Sequence, residues 1–181
     1  MTNVKKLVKP ALVLFVICLA VSALLAGVNA LTKQKIADME AAALEKATRQ
    51  VLPAASVFEP VSLKDVNGFV GKNEDGAIVG YVFINAAKGY GGAVTAIVGL
   101  DTRGAIVGIT VKAPNETPGL GVNVEKDSFL EQFKGQPEGD FALKENIVAQ
   151  TGATYSSRAV VEAVNAALSQ FKQITEGGSA S

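Results

Sequence analysis

The sequence contains no histidine and no tryptophan, a single cysteine, and aromatic residues at only 6% of its 181 positions. Without histidine there is no Ser-His-Asp or Cys-His nucleophile arrangement, no His-ligated zinc or haem, and no imidazole base for neutral pH. With Cys18 alone, this chain can assemble neither an internal disulfide nor a cysteine-ligated zinc or iron–sulfur site. An excess of charge of one sign is also missing. The 17 basic residues balance 17 acidic ones, so no global field draws a nucleic acid. No Gly-x-Gly-x-x-Gly fingerprint follows a strand and opens a helix, so a dinucleotide-binding unit is not expected either. Chemistry must come from hydroxyls, carboxylates, backbone groups or a cofactor, and neither a metal site nor a catalytic residue is expected.

Apolar residues are abundant, at 49%, but the excess is local. Residues 10–32, PALVLFVICLAVSALLAGVNALT, carry no charge. A stretch of that length crosses a hydrocarbon core of about 30 Å as a helix. Lys5, Lys6 and Lys9 precede it and predict a cytoplasmic N-terminus. Those three lysines leave 14 basic side chains against 17 acidic ones from residue 33 onward, a net of −3 that suits a soluble domain outside the membrane. A cleaved signal peptide is the competing reading, with Val28-Asn29-Ala30 as its processing site. Span length favours a retained anchor, because a signal-peptide apolar core runs only about 7–15 residues. Cys18 lies inside the span and reads as membrane-buried packing, not a redox site.

The predicted organisation is a cytoplasmic segment 1–9, an anchor 10–32, a connecting helix 33–53, a domain 54–175 and a disordered tail 176–181. Ile36, Met39, Ala43, Leu44, Ala47 and Val51 recur at helical spacing, and Pro53 closes that helix. From about residue 65 the texture becomes short β-like runs at 69–70, 77–86, 93–100 and 105–112. Asn73-Glu74-Asp75-Gly76 and Asp101-Thr102-Arg103-Gly104 join neighbouring runs as hairpin turns. Residues 113–124 read as irregular, and 126–133 as a short amphipathic helix. Ala159, Val160, Ala163, Val164, Ala167, Leu168 and Phe171 give a closing helix one apolar face. The fold class expected is α+β, with one N-terminal transmembrane helix followed by an antiparallel sheet and packed helices.

Three segments have the residue types for a ligand site. Thr151-Gly152-Ala153-Thr154 with Tyr155-Ser156-Ser157 places four hydroxyl-bearing Ser and Thr residues directly before a helix expected to begin near Ser157. Unbonded N–H groups and the helix dipole there favour phosphate, although Ser and Thr before helices are usually caps. In Glu116-Thr117-Pro118-Gly119-Leu120-Gly121, Pro-Gly predicts a type II turn, and the second glycine allows close backbone approach. A surface turn explains the same residues. Gly89-Tyr90-Gly91-Gly92 reads as a flexible connection or as the wall of a slot for a flat ligand.

Taken together, TGAT at Thr151–Thr154, ETPGLG at Glu116–Gly121, GYGG at Gly89–Gly92 and the hairpin Gly99–Gly108 resemble the FMN-binding domain family. The resemblance covers roughly residues 65–170, and the single N-terminal anchor adds to it. Within the family the chain resembles the G subunits of Rnf electron-transport complexes. The C subunits of sodium-translocating NADH:quinone reductases are the related alternative.

The resemblance implies FMN joined through its phosphate to the hydroxyl of Thr154, with a separate flavin transferase making the phosphoester. Ser156 offers a second hydroxyl two residues away. Glu116, Thr117, Gly119 and Leu120 are implied neighbours of the flavin. Tyr90 is a further candidate, and Thr151, Gly152, Ala153, Ser156 and Ser157 complete the attachment segment. The implied function is an electron relay in a ferredoxin:NAD oxidoreductase coupled to Na+ or H+ translocation. Its partners would be other membrane subunits, notably a flavin-bearing D-type subunit, with no direct binding of NAD or ferredoxin. The FMN domain would lie on the outer side of the cytoplasmic membrane. A cofactor-free tethered binding domain, with TGAT as a cap, is the contrasting reading. A Ser or Thr hydrolase is disfavoured by the missing histidine.

Overall fold

The computed structural model describes residues 3–61, 66–135 and 140–177. Contacts divide the chain into two units, Met1–Glu45 and Lys46–Ser181. In the first unit, helix α1 (Asn3–Val51, whose last residues belong to the second unit) is long and apolar enough to cross a membrane. Leu12, Phe15, Leu19, Leu24 and Leu25 are all more than half exposed along it, which suits side chains solvated by lipid rather than by a protein core. The two helical segments predicted at 10–32 and 33–53 are one continuous helix, ending just before Pro53 as expected.

The second unit is α+β. Strands β1 (Val57–Pro60), β2 (Gly68–Lys72), β3 (Ile78–Lys88), β4 (Ala93–Asp101) and β5 (Ile106–Lys112) form one antiparallel sheet in sequence order. The predicted runs correspond to β2 to β5. Strand β1 has no counterpart among them, because Val-Phe-Glu-Pro is short and lacks alternation. The gap between the runs expected at 77–86 and 93–100 is shorter in the structure, since Ala87 and Lys88 still pair with Val94 and Ala93.

The closing helix α3 (Thr154–Gly177) packs on one face of the sheet. Its predicted apolar residues, from Ala159 to Phe171, are all buried, against Phe83, Val94, Ala96, Val98 and Leu100 from the sheet. Burying one Val, Leu or Phe side chain contributes about 1.5–3 kcal/mol. An exposed ion pair such as Lys72–Glu59, at 2.6 Å between β2 and β1, contributes about 0–1 kcal/mol. Apolar burial therefore holds the helix to the sheet. Asn85 and Gln170 exchange two side-chain hydrogen bonds, of 2.9 and 3.1 Å, and fix the helix lengthwise.

Two helix expectations need correction. Helix α3 begins at Thr154, not near Ser157: the Ser157 N–H donates to the Ala153 carbonyl at 2.9 Å and closes the first turn. The short helix expected over 126–133 starts one residue later, at Asp127, and tightens to 3-10 for its last three residues. Residues 121–125 form a 3-10 turn, α2 spans only Asp127–Leu130, and a second 3-10 turn covers 131–133. Extended backbone at Lys126 separates the first 3-10 turn from α2 and at Lys134 ends the second, while Leu130 and Glu131 keep helical dihedrals, so α2 passes directly into the second turn. At the tail, α3 runs on to Gly177, and residues 178–181 lie outside the described residues.

On the other face of the sheet, the segment following Lys46 packs against glycines. Gly71 pairs with Gly80, Val82 with Gly99, and Gly99 with Gly108, so four glycines share this face. Val51, Leu52 and Ala55 lie on them. A Cβ on Gly99 would sit 2.7 Å from the Val51 carbonyl carbon, and one on Gly108 would sit 2.6 Å from Val51 Cα. Backbone cannot retreat as a flexible side chain can, so Gly99→Ala or Gly108→Ala should destabilise the protein by about 1–3 kcal/mol, as overpacking does. Thermal denaturation of the detergent-solubilised protein measures this; an unchanged midpoint in both variants would refute the packing account.

The β4–β5 turn gives a pH-dependent check. Burial pushes the Asp101 carboxyl pKa up, but the Ala105 and Arg103 N–H groups and the Arg103 guanidinium together outweigh it and hold it below the ordinary range. A depressed folded-state pKa stabilises the fold at neutral pH, and that stabilisation is lost as pH falls through the folded value. The stability gap between the parent and Asp101→Asn should be full at neutral pH and shrink in acid. A gap of constant size from neutral pH to below the carboxylate range would contradict this.

Candidate functional site

Helix α3 starts from a tight turn. Gly152 has φ +75°, the Ala153 N–H donates to the Gln150 carbonyl at 2.9 Å, and the chain passes directly into the helix at Thr154. The hydroxyls predicted there are treated very differently. Ser157 is fully buried and its Oγ accepts from the Gln150 N–H at 3.0 Å, which ties the segment before the helix to its first turn. Ser156 is 1% exposed and its hydroxyl donates to Glu116 Oε2 at 2.8 Å. Thr151 and Thr154 are exposed. The Thr154 hydroxyl makes no hydrogen bond among the described residues, and it stands where the first N–H groups of the helix lack intrahelical partners.

The Glu116 loop supplies the opposite wall. The Leu120 N–H donates to the Thr117 carbonyl at 3.1 Å and Gly119 has φ +78°, as the predicted Pro-Gly turn requires. Thr117 and Gly119 are exposed, and Leu120 is 46% exposed. Glu116 itself is buried. Its Oε1 accepts from the N–H groups of Tyr90 at 2.7 Å and Gly91 at 3.1 Å, while Oε2 takes the Ser156 hydroxyl. One carboxylate thus joins the β3–β4 loop, the Glu116 loop and the first turn of α3.

The close approach that the sequence allowed at Gly121 is to this carboxylate. A Cβ at Gly121 would strike Glu116 Oε2, one at Gly89 would strike Oε1, and one at Gly91 would strike the Asn115 carbonyl. The glycines of two separate motifs therefore have the same cause: they leave room for Glu116 and its loop.

These walls enclose a cleft of about 380 Å³. Of the predicted site residues, Tyr90, Glu116, Thr117, Leu120, Gly152, Ala153, Thr154 and Ser156 line it. Thr151, Gly119 and Ser157 are not in its lining; the first two shape exposed turns and the third holds the Gln150 backbone. Gly121 and Tyr155 line it as well, although the sequence pattern assigns neither a ligand role. An aromatic residue beside the expected attachment threonine is the signal available for Tyr155. Among the described residues there is no group of three or more His, Cys, Asp or Glu side chains able to hold a metal ion.

The FMN-binding domain family matches residues 89–169, which contain every wall of this cleft, and the N-terminal region of Rnf G subunits matches residues 1–51. The G subunit of the proton-translocating ferredoxin:NAD(+) oxidoreductase complex of Clostridium ljungdahlii is 31% identical, with 91% of each chain covered. The chain belongs to the Rnf G-subunit family. The G subunit of the Na(+)-translocating complex of Acetobacterium woodii is also 31% identical, over 95% of each chain. Among solved structures, Shewanella oneidensis NqrC aligns with a TM-score of 0.47 and 22% identity, covering 67% of this chain and 73% of that one. This Rnf-type protein is thus a membrane-anchored electron-transport component with an FMN-binding domain, and it works with the other members of an ion-translocating oxidoreductase complex.

The cleft fits the cofactor. Its volume falls within the roughly 300–1,000 Å³ of small-molecule sites, and a free hydroxyl stands at a helix N-terminus suited to phosphate. Glu116→Ala would leave two N–H groups and a buried hydroxyl without an acceptor, at a cost of about 1–3 kcal/mol for each donor that stays dry. Glu116→Gln retains an amide oxygen for both N–H groups and an amide N–H for the Ser156 oxygen. Thermal denaturation should therefore rank parent, then Gln, then Ala. Equal losses in the two variants would remove the hydrogen-bond account of this glutamate.

Proposed function

We propose that FMN is carried covalently on Thr154, in a phosphoester to Oγ1, and that the loaded domain relays electrons between neighbouring subunits of an Rnf-type ferredoxin:NAD oxidoreductase. The observation that carries this reading is the division of labour among the hydroxyls. Ser156 and Ser157 are buried and engaged, whereas Thr154 is exposed, unbonded and at the start of α3. A flavin transferase brings the flavin phosphate activated as a phosphoric anhydride. Thr154 Oγ1 attacks the flavin-side phosphorus, the P–O–P bond breaks, the other phosphate half leaves as a monophosphate, and the hydroxyl proton passes to a base of the transferase. No histidine is needed in this chain for that step. The N–H groups of the first helical turn then face the phosphate oxygens, where the helix dipole favours negative charge.

Bound FMN supplies the electron-carrying chemistry, taking up and releasing one or two electrons. The protein's part is to hold it. Thr154 prevents its loss, the Thr117–Leu120 turn borders the ring, and Gly119 keeps that turn in shape. Covalent attachment suits a carrier outside the cell, where a dissociated flavin is lost by dilution.

Residues 1–9 lie in the cytoplasm, 10–32 span the membrane once, 33–53 connect, and the domain from residue 54 to the end of α3 works on the outer side. The lysines before the span support this orientation. The D-type flavin subunit is the proposed electron partner, and NAD and ferredoxin bind elsewhere in the complex. Electron flow through the complex drives Na+ or H+ translocation. The ion does not bind in this span, since residues 10–32 hold no ionisable side chain other than Cys18.

In-gel fluorescence of the denatured protein, made together with an active flavin transferase, tests the attachment. The parent and Ser156→Ala should fluoresce, and Thr154→Ala should be dark. Loss in Ser156→Ala alone would move the attachment to Ser156. A dark parent, with the transferase active on a control, would leave the TGAT segment as a helix cap and the domain without a covalent flavin.

A further inference from the structure

Most aromatic rings of residues 46–181 are packed against one another. Phe129 meets Phe133, Phe133 meets Phe141, and Tyr81 meets Phe171, all edge to face. Tyr90 and Tyr155 differ. They are 75% and 65% exposed, and among the described residues of this unit they are the exposed aromatic side chains. Tyr90 belongs to the β3–β4 loop and Tyr155 to the first turn of α3, yet their ring centroids lie 6.4 Å apart and both line the cleft beside Thr154.

The two rings do not satisfy each other. Their planes are inclined by 46°, which is neither the offset-stacked nor the edge-to-face geometry that aromatic pairs prefer. They form an open wedge of apolar surface at the mouth of the cleft, and a planar ligand would remove that surface from water. The backbone of one and the ring of the other are anchored. The Tyr90 N–H is bonded to Glu116 Oε1, and the Arg158 guanidinium lies 5.9 Å from the Tyr155 ring centroid as a cation–π contact.

We infer that Tyr90 and Tyr155 are paired aromatic contacts for the isoalloxazine ring, one from each wall of the cleft. This role rests on Thr154 as the attachment point. Tyr155 follows Thr154 directly in the chain, so the ring is tethered beside one of its two contacts. The wedge excludes water from the flavin faces and sets the ring's orientation relative to the approaching redox partner.

A phenol in contact with an excited flavin gives it an electron and receives it back, which shortens the flavin fluorescence without net reaction; phenylalanine keeps the stacking surface but cannot do this. The experiment is the flavin fluorescence lifetime of the folded, full-length, covalently loaded protein, with flavin load read separately from the denatured gel. Tyr90→Phe and Tyr155→Phe should load like the parent and each show a longer lifetime, by up to about twofold where the two rings quench equally, with a severalfold increase in the double variant. Tyr81→Phe, packed against Phe171 away from the cleft, should match the parent. Equal loading with parental lifetimes in both single variants and the double variant overturns the inference. A parent without covalent flavin overturns the Thr154 reading and this inference with it.

Discussion

A carboxylate that is only 3% exposed must find donors inside the protein, and Glu116 finds them in two segments distant in sequence. It takes two N–H groups from the loop after β3 and the Ser156 hydroxyl from the start of α3. The consequences reach well beyond three hydrogen bonds. Gly89 and Gly121 are glycine because a Cβ at either position would occupy the space of the carboxylate oxygens. Ser156 is withdrawn from solvent, which leaves Thr154 as the accessible hydroxyl at the helix start. The two walls of the cleft are thereby set by a single side chain.

The sheet makes this arrangement possible by keeping two kinds of packing apart. On one face the large side chains of β3 and β4 receive α3, whose length and apolar stripe fix where its N-terminus emerges. On the other face a patch of glycines lets the segment around Val51 approach the strands at backbone distance. Because alternate residues of a strand point to opposite faces, both surfaces are built from the same few strands without interference.

Much of this is legible in the sequence because it depends on local periodicity. The strands from β2 to β5, their glycine-containing turns and the apolar stripe of α3 follow from alternation, turn chemistry and helical spacing. The start of α3 lies three residues earlier than the sequence suggests, since a run of hydroxyl residues reads as a cap, whereas Ser156 and Ser157 lie inside the first turn and bond to residues outside the helix. The helix expected at 126–133 begins one residue later because the backbone at Lys126 is extended, and it tightens to 3-10 at its end, neither of which apolar spacing reports. Strand β1 escapes a reading by pattern because four residues carry too little of it, and its pairing with β2 is a contact between segments.

The sequence by itself determined which side-chain chemistries are missing, imidazole above all, and it determined the uncharged span, the strands from β2 to β5 and the three short motifs that resemble FMN-binding domains. Only the tertiary structure decided how those motifs relate. Identical hydroxyl groups at Thr154, Ser156 and Ser157 acquire different roles through burial and hydrogen-bond partners up to 40 residues away. The pairing of Tyr90 with Tyr155 is of the same kind. The local sequence sets what each side chain is able to do, but which groups remain free depends on non-local contacts, and those exist only once the chain has folded.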